Sequence, residues 1–117
     1  MRRIWPAALV ALSMALSSTV LAQSSKPIKM IVAFPPGGPV DLVARLLTDP
    51  LTKEMGQPIV VENKPGANGG IAAELVAKGP ADGSVIFLTS SGATVINPSL
   101  YPNLPYDPMK DLSLIHI

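Results

Sequence analysis

The chain predicts an α/β fold with a mostly parallel sheet, and three observations carry that expectation. Short apolar runs alternate with helical patterns in the order strand, helix, strand, helix, strand. The first two strands each run into a Gly-rich turn, Phe34-Pro35-Pro36-Gly37-Gly38-Pro39-Val40-Asp41 and Pro65-Gly66-Ala67-Asn68-Gly69-Gly70. A helical pattern follows each turn directly. Alternation of this kind requires parallel pairing through right-handed crossovers, with helices on both faces. The turns then sit at the carboxyl ends of strands, where open α/β sheets bind ligands.

Residues 1–22 read as a leader. Met1-Arg2-Arg3 is cationic, residues 4–21 are largely apolar, and Val20-Leu21-Ala22 supplies a small-residue exit. That is the layout of a secretory signal peptide cleaved after Ala22. About twenty apolar residues could also span a bilayer, but Pro6, Ser13, Ser17 and Ser18 weigh against a retained helix. The mature protein is therefore expected to lie outside the membrane. Arg2-Arg3 fits general or twin-arginine export equally.

Removing the leader changes the charge. The formal net charge of +1 becomes −1 once Arg2 and Arg3 are gone, so the pI near 8.1 belongs to the leader. It gives no argument for a nucleic-acid partner. The chain has no cysteine, hence no disulfide framework and no thiolate metal site.

The elements follow in order. Residues 28–34 form a buried strand. Residues 40–55 form a helix with Val43, Leu47 and Leu51 on one face and Leu46 beside them, stopped at Gly56. Pro50 should kink or split that helix, because it removes a hydrogen bond and clashes with the preceding turn. Residues 58–62 form a second strand, rich in β-branched Ile59, Val60 and Val61. Residues 70–78 form a second helix, Asp82-Gly83 a turn, and residues 84–89 a third strand. With two helices, one face or edge of the sheet is left unfinished. After Ser90 come Pro98, Pro102, Pro105 and Pro108, which read as an extended surface segment. Residues 112–117 begin a further strand, and the expected explanation of that stop is truncation.

The chemistry points to binding. Gly37-Gly38 lets backbone N–H groups approach a ligand beside a helix N-terminus, although an ordinary tight turn has the same composition. Asp41, in the first helical turn, either complements the helix dipole or orients a group at the pocket mouth. Residues 66–70 form a second anion nest or a plain connection. Ser90-Ser91-Gly92 offers hydroxyls at the third strand end, or simply forms a turn. Arg45 reads as a surface residue. There is no GxGxxG or GxxxxGK[ST] pattern. The sole histidine is His116, and Asp41, Glu62 and Glu74 are scattered, so no catalytic residue, metal site or cofactor is expected.

The residues also carry a resemblance. Residues 26–38, Asp41 with Ala44-Arg45, residues 56–67, Ala81-Asp82-Gly83, Asn97-Pro98, Tyr101, residues 104–107 and residues 110–112 resemble, in order, the tripartite tricarboxylate transporter receptor family, the TctC-like Bug receptors. That resemblance implies a periplasmic binding protein-like fold, a two-domain clamshell closing on a small carboxylate for a membrane permease, monomeric at full length. It implies that Phe34, Gly37, Gly38, Asp41, Ala67, Gly69, Ser90 and Ser91 form one half of the cleft. Residues 23–117 would be the N-terminal part of the first domain. Residues 113–117, with His116, depart from the family pattern and read as non-native. The alternative is a secreted α/β enzyme whose catalytic residues lie in a missing part. A structural or adhesion module is a third reading, which predicts no stabilisation by small molecules.

Overall fold

The structure, a computed structural model, describes residues 26–113. The leader, its cleavage point after Ala22 and residues 114–117 with His116 lie outside the described residues.

Strands β1 (Ile28–Val32), β2 (Ile59–Asn63) and β3 (Val85–Leu88) form one parallel sheet in the order β2-β1-β3. Ile28 lies opposite Ile59, and Val32 opposite both Asn63 and Leu88. Helix α1 (Pro39–Met55) joins β1 to β2, and helix α2 (Gly70–Ala77) leads from β2 towards β3. The chain therefore steps from β1 to β2 and then back across β1 to β3. Crossovers of one hand must place such helices on opposite faces. They do so here. Ile28, Met30 and Val32 pack against Ala44 of α1, while Ile31 and Ala33 pack against Ala72 of α2. This two-sided burial explains why β1 is apolar from Met30 to Val32, with Lys29 near its start the one exposed position. Burial of Met30 or Ile31 contributes about 1.5–3 kcal/mol each.

Four expectations are corrected. The buried stripe of α1 is Val40, Asp41, Ala44 and Leu51, whereas Val43, Leu46 and Leu47 are exposed, Leu46 to 67%. Ala44 has no exposed surface, and its small side chain lets the helix approach the sheet closely. Periodicity weighted towards leucines selects the wrong face. Nor does Pro50 split the helix, which runs unbroken through it. Pro50 and Leu46, the residue whose carbonyl loses its usual helical donor, are both exposed.

The segment after Ser90 is likewise not merely an extended surface strip. It forms a π-helical turn (Gly92–Ile96) and a short helix, α3 (Asn97–Leu100). It also buries Ala93, Asn97 and Tyr106, with Ala73 of α2 in the same cluster. Leu112 and Ser113 are not in a strand. Gly56 ends α1 as expected, left-handed at φ 65°, with its N–H donating to the Thr52 carbonyl at 3.0 Å.

Candidate functional site

The order β2-β1-β3 makes the gap between β1 and β3 the point where the chain reverses direction across the sheet. In open α/β folds the ligand crevice opens at such a point, outside the carboxyl ends of the strands. Three segments meet there.

The first is the turn after β1. Gly37 has φ +83°, a left-handed conformation that a Cβ resists, and its N–H donates to Asp41 Oδ2 at 2.9 Å. Arg45 Nε donates to the same oxygen at 2.9 Å, and Arg45 Nη2 to Oδ1 at 3.2 Å. Asn63, at the end of β2, donates to Oδ1 at 2.9 Å and to the Phe34 carbonyl at 3.0 Å. Asp41 is 2% exposed. The Arg45 guanidinium, then the Gly37 N–H and the Asn63 amide, hold its carboxyl far below the usual carboxylate range. Both oxygens are thus committed within the chain, so Asp41 shapes the turn. The Phe34 side chain packs against the cluster of Ile31, Ala33 and Ala72.

The second is the turn after β2, where Gly66, Ala67, Asn68 and Gly69 all have positive φ, at 130°, 49°, 51° and 84°. Ala67 and Asn68 carry side chains in this left-handed turn, a strain of about 1–2 kcal/mol at Ala67 and less at Asn68, since asparagine tolerates this region. The turn's own bonds use the N–H groups of Gly69 (to Gly66) and Gly70 (to Ala67). Those of Ala67 and Asn68 lie outside that bonding.

The third is the loop after β3. The Ser90 hydroxyl accepts the Gly92 N–H at 3.3 Å, and Ser91 is exposed.

Gly69 ties these segments together. A Cβ there would lie 3.1 Å from Thr89 Oγ1, 3.1 Å from the Ala93 Cβ and 3.2 Å from the Ala33 Cβ. Thr89 Oγ1 is buried and has no hydrogen-bond partner. An open depression of about 600 Å³, lined by Pro36, Gly37, Gly38, Pro39, Asp41, Leu42 and Arg45, flanks the start of α1. Ala67, Gly69, Ser90 and Ser91 do not line it.

Sequence reasoning missed Asn63, Thr89, Asn97 and Tyr106. Asn63 and Thr89 end strands, where a polar residue after an apolar run is the available signal. Asn97 and Tyr106 carry no local signal, since their partners lie up to 30 residues away. Asp41, Glu62 and Glu74 each pair with a cation, Arg45, Lys64 and Lys78, and not with one another. No helix among the described residues is long and apolar enough to cross a membrane.

The family model described as "Tripartite tricarboxylate transporter family receptor" matches residues 43–117. The chain belongs to this receptor family. It is 46% identical over 89 residues to BugT of Bordetella pertussis, covering 75% of this chain and 27% of BugT. The periplasmic binding protein BugD superposes with a TM-score of 0.68 at 42% identity, over 73% of this chain and 28% of BugD. MatC of Rhodopseudomonas palustris, solved with bound malate, gives 0.68 at 41% identity over 73% and 29%. This receptor-family chain thus spans less than a third of the length of these relatives. The expected periplasmic binding protein-like α/β fold holds, represented by one three-stranded parallel sheet.

Proposed function

We propose that the chain begins the first lobe of a periplasmic receptor that closes on a small carboxylate and delivers it to a tripartite tricarboxylate-type permease. Residues 1–22 are its cleaved signal peptide, residues 23–117 the N-terminal part of that lobe, and the whole receptor is a monomer. The observation that carries this reading is the meeting of the chain just after β1 and β3 with the turn after β2: Ala33, Thr89 and Ala93 close on Gly69 where the sheet order reverses. Such an edge suits a solute held by amides and bridging waters. The main chain of Phe34, Gly37, Gly38, Ala67 and Gly69 forms this half of the cleft, with the hydroxyls of Ser90 and Ser91. Asp41 takes up the Gly37 N–H itself and so acts by fixing the shape of the first turn, not by presenting that amide to the solute. Malate in MatC supports a carboxylate as the solute class.

Calorimetric titration of the whole receptor tests the reading. Malate or adipate should bind, and the corresponding uncharged diamide should not. Equal binding of acid and diamide, or of neither, would overturn it. N-terminal sequencing of the exported protein should begin at Gln23; a retained Met1 would refute the cleaved leader.

A further inference from the structure

The segment after β3 reaches back to the left-handed turn. Asn97, 1% exposed, donates from Nδ2 to the carbonyls of Ala67 (3.2 Å) and Asn68 (3.4 Å), and to the Tyr106 hydroxyl (3.3 Å). Its Oδ1 accepts Asn68 Nδ2 at 3.2 Å. Tyr106, 5% exposed, donates in turn to the Ala93 carbonyl at 2.7 Å. The Asn68 side chain lies so close over Gly92 that a Cβ there would sit 2.5 Å from Asn68 Nδ2. One buried amide thus holds the two residues with side chains that the turn forces to positive φ.

We infer that Asn97 and Tyr106 are positioning residues for solute binding, clamping residues 66–69 in the shape that faces the cleft. The inference rests on the proposed receptor function, although the clamp itself is a property of the fold. Strained backbone persists only where its surroundings over-determine it, and here a buried, multiply bonded amide does so. A purely structural asparagine would set the melting temperature alone. A clamp also sets the conformation of a turn that the solute must find already formed, and a competent state populated less often weakens apparent affinity in proportion.

The test is made on the whole receptor, well below its melting temperature, with malate as the probe. Asn97→Ala should weaken malate binding at least tenfold while the protein stays folded. Tyr106→Phe, which keeps the ring and loses the hydroxyl, should weaken it roughly threefold. Adding Ala67→Gly to Asn97→Ala should recover part of the loss, because glycine takes positive φ without strain. Affinity as in the unaltered receptor for folded Asn97→Ala would overturn the inference. If that variant does not fold, unchanged affinity in Tyr106→Phe would do the same. Hydrogen exchange separates this from failure of the receptor reading, since it needs no solute. The Gly69 and Gly70 amides should exchange faster in Asn97→Ala or Tyr106→Phe than in the unaltered receptor. Equal exchange refutes the clamp even if malate is not the solute.

Discussion

The turn after β1 is held by charge, whereas the turn after β2 is held by neutral amides. In the first, one carboxylate collects a backbone N–H from the turn itself, a guanidinium from the next turn of α1 and an amide from the end of the adjacent strand. Only Gly37 there takes positive φ, and space is open around it. In the second, four consecutive residues take positive φ, and the clamp comes from Asn97, about thirty residues further along. The first turn is therefore local and ionic. The second depends on tertiary structure and carries backbone strain. Two turns of similar composition, both rich in proline and glycine, reach the same sheet edge by different physics.

The largest test of this contrast compares two glycines with nearly equal φ. Gly69→Ala combines left-handed strain with crowding against Ala33, Thr89 and Ala93, and the two alanine Cβ atoms can move only with their backbone. Gly37→Ala meets the strain alone, since nothing lies within 4 Å of the added methyl. The expected losses in chemical denaturation of the whole receptor are about 3 kcal/mol or more at Gly69, and about 1–2 kcal/mol at Gly37. Equal losses would remove the distinction between a crowded turn and an open one.

Acid should separate the turns next. Asp41 titrates below its ordinary value of 3.8 in the folded chain, with Arg45 the main cause. A depressed carboxyl stabilises the fold fully above its unfolded value, near pH 4, and loses that contribution as pH falls towards the folded value. The clamp on the second turn is built from the amides of Asn68 and Asn97, which do not titrate. Exchange at the Gly37 amide should therefore accelerate, relative to the intrinsic rate, as pH falls below about 4, before that of Gly69 does. Asp41→Asn should abolish the difference. A Gly69 amide that loosens first would contradict the ionic assignment.

How much of this was legible follows from the same contrast. The strand–helix alternation, the parallel sheet and the Gly-rich edge are written in local pattern, because β1 is apolar on both faces and each turn has its own glycines. The Asp41–Arg45 pair was not read, although its i, i+4 spacing on a helix is a local signal for it. The face of α1 was not legible, because the smallest residue, Ala44, makes the closest approach while leucines stay outside. The Asn97 clamp was not, because neither its partner turn nor the strain at Ala67 and Asn68 leaves a mark in the nearby sequence. Positive φ at alanine is a tertiary decision.

Arg45→Ala should come next in size. The guanidinium is 56% exposed, and without it Gly37 and Asn63 still hold the buried carboxylate. Malate affinity should change by less than about fivefold. Loss of binding on this change alone would make Arg45 a direct solute clamp, and the amide-lined edge would be the wrong description.

The smallest change in stability is expected at Gly38, and it carries the sharpest functional information. Gly38 caps α1 with φ −79° and ψ 170°, an ordinary extended conformation, and an added Cβ would lie 3.4 Å from the Pro35 carbonyl oxygen. A methyl at this glycine therefore forces no left-handed backbone, unlike one at Gly37. Serine is among the preferred N-cap residues, so Gly38→Ser should leave stability unchanged or raise it by about a few tenths of a kcal/mol. Gly38 itself lines the depression with Gly37 and Asp41, so the added atoms stand at its wall. If a solute carboxylate sits against the start of α1, malate binding should fall about tenfold, near the loss of one good hydrogen bond to a charged group. Unchanged affinity in a protein of unchanged stability would move the solute away from the first turn, leaving the clamped turn after β2 as the contact this lobe provides.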